Sequence, residues 1–217
     1  MHRAHVVAVS RPGSLDCDVV AHPPLVALGL AMMERYQPMP LSLQTERLVL
    51  HLRGSEDAAV NLELLAEHGT GCPARTLTQE QARLAEQNAI ARQRGFGFFA
   101  IARRAEGDSI GYCGLLVGRA TFDELEIAYE LVRPMRGYGY ATEAARAVLT
   151  AAFSTGRRRI WATVRSWNAP SLRVLDKLGF RRHHSIVDDR GELVYLRCDE
   201  AWRHADPSTL PLPFTPE

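Results

Sequence analysis

Several things are scarce in this 217-residue chain, and each shortage closes off a class of protein. The longest apolar run, Leu25–Met33, is too short to span a membrane. It follows Asp16 and Asp18, which suits a secretory signal poorly, so the sequence points to the cytoplasm and to no membrane partner. Four cysteines, Cys17, Cys72, Cys113 and Cys198, are scattered without a C-x-x-C pair, which leaves no disulfide framework and no zinc spacing. The eight histidines include no H-x-x-x-H pattern, and the adjacent His183 and His184 would point to opposite faces of a strand. No metal site is expected. Lysine occurs once against 25 arginines, which we read as genome composition rather than function.

What is present is an ordinary soluble balance, 46% hydrophobic and 24% charged, enough to bury one core. The net charge of +1 hides two blocks. Arg133 to Arg182 carries a net of +9, and Glu106 to Glu130 a net of −5. Such blocks fit two ligands of opposite charge, or two solvated faces. Direct nucleic-acid binding is a weak reading, because the arginines are divided among loops, helices and strands with no recognised binding motif.

Residues 1–41 hold Pro12, Gly13, Pro23, Pro24, Pro38 and Pro40 and no sustained periodicity, which predicts an extension or mobile arm, with a short helix possible over Leu25–Tyr36. The end of the chain, 205–217, holds four prolines and reads as a disordered tail. Residues 42–204 form the expected domain. Alternating leucines predict a strand over Thr45–Arg53, and helices follow over Glu56–His68, stopped by Gly69, and from a capping box Thr78-x-x-Gln81 to about Arg94. Strands are expected at Phe98–Arg103 and Ser109–Val117, joined across Glu106-Gly107-Asp108, and at Leu125–Val132. A clean apolar stripe predicts a helix over Ala141–Phe153. Ile160–Arg165 reads as a strand, Ala169–Leu178 as a helix, and Arg181–Val187 with Leu193–Cys198 as a closing hairpin. The order is that of one mixed α/β sheet of about seven strands with helices packed on it.

The sharpest local feature joins the fourth strand to the long helix: Leu131-Val132-Arg133-Pro134-Met135-Arg136-Gly137-Tyr138-Gly139-Tyr140-Ala141-Thr142. Glycines allow positive φ and close approach to the backbone, and a helix N-terminus offers N–H groups and a partial positive charge. The loop suits a phosphate, and Arg136 adds a cation. It is neither a P-loop nor a dinucleotide fingerprint, and an ordinary strand-to-helix turn is the plainer alternative.

Arg136-x-x-Gly139-x-Ala141 resembles the R/Q-x-x-G-x-G/A signature of the GNAT acetyltransferase superfamily. Asn168-Ala-Pro-Ser171, leading to Lys177-Leu-Gly179-Phe180, is similar to its second signature. Thr45-Glu46-Arg47-Leu48 and Glu126-Ile127-Ala128-Tyr129 resemble the branch containing ribosomal-protein N-terminal acetyltransferases. The resemblance implies a mostly antiparallel central sheet with helices on both faces, splayed between the fourth and fifth strands. It also implies acetyl-CoA as co-substrate, with its pyrophosphate on the amides of the loop from Gly137 through Tyr138, Gly139 and Tyr140 to Ala141 and Thr142, and its pantetheine arm against Leu131 and Val132. Asn168 would hydrogen-bond that arm, or simply cap a helix as asparagine does; Ser171 carries the same two readings. Arg173, Lys177, Arg181 and Arg182 are candidates for the ribose phosphate, whereas Gly179 and Phe180 read as a helix stop and a core residue.

An amine acceptor must lose a proton, since an alkylammonium has a pKa of about 10. Glu126 and Glu130 share one face of the fourth strand at period two. The resemblance favours Glu126 as base through water, and leaves Glu130 as an acceptor contact where relatives carry an aromatic. The tyrosine that many members use to protonate the departing thiolate falls on Leu175, so that acid is absent, and water or Ser171 would serve instead. The expected activity is N-acetyl transfer to a primary amine, either a peptide N-terminus or a small cationic amine, by direct attack in a ternary complex. The alternative is a non-catalytic acyl-CoA-binding or regulatory module. A homodimer is compatible with the sequence but not implied by it.

Overall fold

The protein is described from a computed structural model, which covers residues 35–67, 75–119 and 121–203. The strands are β1 (Ser42–Gln44), β2 (Leu48–Leu52), β3 (Phe98–Arg103), β4 (Ser109–Leu116), β5 (Glu126–Leu131), β6 (Arg159–Arg165), β7 (Arg181–Asp188) and β8 (Gly191–Asp199). The helices are α1 (Ala58–Glu67), α2 (Leu77–Arg94), α3 (Tyr140–Ser154) and α4 (Ala169–Lys177). All strands lie in one sheet, ordered β1-β2-β3-β4-β5-β6-β8-β7. The count is eight rather than about seven because Ser42–Gln44 adds an antiparallel strand to β2.

Pairing is antiparallel throughout except between β5 and β6. Those two are parallel and share a single register pair, Glu126 with Trp161. Beyond Glu126 the two strands part, and a wedge opens toward Leu131. This is the splay expected between the fourth and fifth strands, β5 and β6 once β1 is counted.

Alternation sorts the side chains. Leu48, Leu50, Phe99, Ile101, Cys113, Ile127, Tyr129 and Leu131 form one buried face. The stripe Ala144, Ala145, Val148, Leu149 and Ala152 of α3, with Leu175 of α4, belongs to the same core. Phe98, Tyr112 and Glu130 lie on the other face, which α1 and α2 reach through Asn61 and Gln87. All of β5 is buried, so its ends sit between two covered faces.

Three local expectations shift. The capping box of α2 is Thr76-x-x-Gln79 rather than Thr78-x-x-Gln81: Gln79 N–H donates to Thr76 Oγ1 and Thr76 N–H to Gln79 Oε1. Repetition of Thr-x-x-Gln two residues apart explains the displacement. His183 and His184 do not diverge, because a register shift between Arg182 and His184 breaks the alternation and brings their Nδ1 atoms to 2.7 Å. The end of the expected N-terminal arm is packed: Met39 is in the core and Tyr36 donates to Asp123 at 2.9 Å. The rest of that arm, Gly69 and the residues from 204 onward lie outside the described residues, whose helices include none long and apolar enough to cross a membrane.

Candidate active site

At the end of β5 the chain turns through Arg133–Met135 and enters α3 by way of two glycines. Gly137 has φ of 90° and Gly139 of 84°, left-handed values that a side chain resists. Gly139 is the N-cap of α3 and no side chain caps the helix, so its first-turn N–H groups are those a helix leaves without internal acceptors. Glycine therefore suits the path of the chain, and the path leaves the first-turn amides without a side-chain cap.

Residues far away in sequence hold this turn in place. Glu67 at the end of α1 accepts from Arg133 N–H at 2.8 Å and from Arg136 Nη2 at 2.6 Å. Arg136 Nε also donates to Leu131 O at 2.8 Å. Across the turn, Glu143 accepts from Thr45 Oγ1 (2.6 Å), Arg47 N–H (2.9 Å) and Arg47 Nε (2.7 Å). Burial works against ionisation of Glu143, but these hydrogen bonds outweigh it and hold its carboxyl below the ordinary value. Arg47 also reaches Tyr138 O and lies 4.6 Å above the Tyr140 ring.

A cavity of about 320 Å³ opens in front of these amides. Gly137, Gly139, Tyr140, Ala141 and Thr142 line one end, Asn168, Ser171, Arg173 and Lys177 another wall, and Tyr129, Glu130 and Leu131 the wedge. Asn168 caps α4, its Oδ1 accepting from Ser171 N–H at 3.3 Å, and it lines the cavity as well, so the two readings of Asn168 are compatible. Tyr129 donates to Ser171 O at 3.3 Å and ties β5 to the start of α4. Burial raises the Tyr129 pKa and keeps its phenol protonated.

The structure corrects several sequence expectations here. Arg136 lines the cavity, but its charge is paired with Glu67, so it is not a spare cation. Val132 is buried outside the cavity, and its N–H is taken by Ile110 O at 3.0 Å. Tyr138 is 63% exposed, stacked on Tyr140, and also outside the cavity. Of the four proposed phosphate partners, Arg181 pairs with Asp176 and Arg182 with Glu192. Arg173 and Lys177 line the cavity, and among the described residues neither has a carboxylate partner. Leu175 is fully buried in the core, and Phe180 is buried behind Gly179, which has φ of 83°.

Glu126 and Glu130 share a face but not a setting. Glu126 is 1% exposed, and its oxygens accept from Thr163 Oγ1 and from Arg119 N–H at 3.0 Å. It packs so closely on Gly118 that a Cβ there would lie 2.0 Å from Glu126 Oε2. It does not line the cavity; Glu130 does, with Tyr112 donating to its Oε2 at 3.3 Å. The other acids of the negative block are engaged elsewhere: Glu106 and Asp108 by Arg103, Asp123 by Tyr36, and Glu124 by Arg159 and Trp161. Their sum is not a field aimed at the wedge. Away from the cavity, His51, Glu56 and Asp57 offer ligand atoms within 4.8 Å of one another, and Asp57 also accepts from Gly54 N–H.

Thr45, Arg47, Glu67, Glu143 and Tyr129 brace the site without being among the sequence candidates for it. The only sequence signal for the first two was the Thr45-Glu46-Arg47-Leu48 match; Glu67 and Glu143 gave none.

With the amide cradle, the wedge and the shared cavity in view, likeness to known proteins becomes informative. Residues 47–181 match the acetyltransferase (GNAT) domain family, and the chain belongs to that family as an acyltransferase. It is 28% identical over 153 residues to an N-acetyltransferase named p20 from Bacillus licheniformis, covering 68% of this chain and 86% of the relative. A putative GNAT-family acetyltransferase from Bordetella pertussis superposes with a TM-score of 0.62 at 26% identity, covering 73% of this chain and 99% of that one. Mycobacterium smegmatis RimJ, in complex with CoA-disulfide, shares the fold with a TM-score of 0.61 at 23% identity over 76% and 87% of the two chains.

Proposed function

We propose that the protein moves an acetyl group from acetyl-CoA to a primary amine by direct attack in a ternary complex. The observation that carries this reading is one continuous cavity, running from the α3 amides past Arg173 and Lys177 to Glu130 at the mouth of the wedge. Family membership supplies the chemistry, and the RimJ complex with CoA-disulfide supports a CoA ligand. The catalytic unit on this reading is residues 42–204 together with the packed stretch from Tyr36 to Met39, with the rest of 1–41 and 205–217 as extensions.

The roles follow from placement. Backbone N–H groups from Gly137 to Thr142 hold the diphosphate, helped by the dipole of a 15-residue helix. Arg173 and Lys177 meet phosphate charge, and Asn168 contacts the arm. Leu131 contributes through packing, since its carbonyl is already held by Arg136. Glu130 receives the proton from the attacking amine, a role for which its position on the cavity wall favours it over the enclosed Glu126. Glu126 fixes the Thr163–Arg119 corner from which the wedge opens. The C–S bond breaks as the amide forms, and Ser171 gives the departing thiolate a proton that solvent restores. Much of the rate comes from holding amine and thioester together.

The test is release of free CoA across a panel of amines and N-terminal peptides. Amine-dependent release is expected. Heat protection by acetyl-CoA with no release from any acceptor would leave only a binding module.

A further inference from the structure

On the sheet face of Glu130, a second cavity of about 70 Å³ is lined by Arg53, Gln87, Arg94, Phe98, Leu116 and Val117. Arg53 is 8% exposed, yet its N–H groups go to neutral oxygens, Asn61 Oδ1 and Gln87 Oε1, both at 3.0 Å. Its guanidinium lies 5.0 Å from the Phe98 ring centre and 4.7 Å from that of Tyr112. Among the described residues Arg53 forms no ion pair, and neither does Arg94, whose guanidinium rests over Phe122 at 5.7 Å. Nearby acids are already engaged: Glu80 by Asn61, Arg83 and Arg75, and Asp57 by His51 and Gly54 N–H. Burial lowers the Arg53 pKa to about 10, a sign of how poorly its charge is compensated.

A buried guanidinium without a counter-ion is costly, and an anion supplied by a ligand offsets that cost through charge-assisted hydrogen bonds. The subsite is also tied to the reaction. Tyr112 lies against Arg53 through its ring and donates to Glu130 through its hydroxyl, so one tyrosyl side chain separates the two. We propose that the acceptor carries a carboxylate or phosphate several bonds from its amine, and that Arg53 and Arg94 bind this anionic group while Glu130 faces the amine. The amine end of this assignment rests on the transferase reading; the anion subsite does not. A peptide with Asp or Glu at its first or second position has this chemistry, and so does a small amino acid with its amine at the far end from the carboxylate. A cationic side chain would meet Arg53 and Arg94 and be repelled.

The experiment pairs isosteres that differ by one charge. The full chain is assayed for CoA release with peptides bearing Glu or Gln at the second position, and with 4-aminobutyrate or its amide. Binding of the N-acetylated peptides is measured separately by calorimetry. The charged member should win by about tenfold in kcat/KM and in affinity, as expected for a charge-assisted contact in a desolvated site. A preference among peptides alone identifies a protein acceptor, and one among the small amines alone identifies a metabolite. Arg94→Gln and Arg53→Gln should each bring the Glu-to-Gln ratio close to one. The Arg94 side chain makes no hydrogen bond among the described residues, so Arg94→Gln keeps the test open if Arg53→Gln fails to fold. No preference for the charged member in either pair, peptides or small amines, overturns the proposal. Tighter binding of the Glu peptide without CoA release keeps the anion subsite and overturns the transferase reading instead.

Discussion

On the α3 side of the wedge, the groups lining the cavity are the start of α3, whose first-turn N–H groups have no side-chain cap, and two cations, Arg173 and Lys177, without carboxylate partners among the described residues. On the α1–α2 side, the polar groups are side chains already bound to one another: Glu130 to Tyr112, Arg53 to Asn61 and Gln87, Glu80 to Arg83. The amide part of the first arrangement is a glycine path and a helix start within a dozen consecutive residues, braced from outside by Glu67, Thr45 and Arg47. The second draws on β2, α1, α2, β4 and β5 at once.

The comparison breaks most readily at Gly139. Gly139→Val forces a branched side chain into positive φ at the N-cap of α3, and acetyl-CoA affinity should fall by about 100-fold or more, read by calorimetry. Retained affinity would mean that the amides are not the grip. On the other side, Glu130→Gln should lower kcat by about 100-fold, as loss of a general base does. Glu126→Gln should mainly lower Tm, because it disturbs the bonds to Thr163 and Arg119. The opposite ranking in single-turnover kinetics would return the base to Glu126.

Smaller effects sharpen the contrast. Replacing Arg173 and Lys177 together by alanine should raise KM for acetyl-CoA by about tenfold, whereas Arg182→Ala, paired with Glu192 outside the cavity, should leave it where it was. The smallest effect is in stability against pH. His51 is raised above its ordinary 6.5, first by its hydrogen bond to Asp57, with burial opposing. A raised folded-state value means that the stabilisation is fully present below about pH 6.5 and fades as pH climbs through the raised value. The Tm difference between wild type and His51→Gln, followed from about pH 5 to about pH 8, should shrink in that direction.

Much of the fold was legible because alternation and helical stripes are local. The stripe from Ala144 to Phe153 is buried as its spacing requires, and the hairpin at Gly107 falls where Glu106-Gly107-Asp108 places it. Failures came where a local rule met a competitor. A bulge overrode period two at His183, and a doubled Thr-x-x-Gln displaced the cap of α2. In the site, the turn itself is legible by motif, since Gly137 and Gly139 have the left-handed backbone that their spacing announces. Residues acting through long-range pairing are not: nothing near Arg136 in sequence says that Glu67 neutralises it, and nothing near Glu126 says that Thr163 encloses it. Charge blocks misled for the same reason, because five of the six acids between Glu106 and Glu130 bind groups outside the cavity.

The start of α3 is where a CoA diphosphate should lie. A crystal structure of the full chain with CoA tests this directly. Diphosphate oxygens within hydrogen-bond distance of N–H groups between Gly137 and Thr142, with Arg173 or Lys177 against phosphate, is the expected result. CoA bound elsewhere with that turn vacant would contradict it.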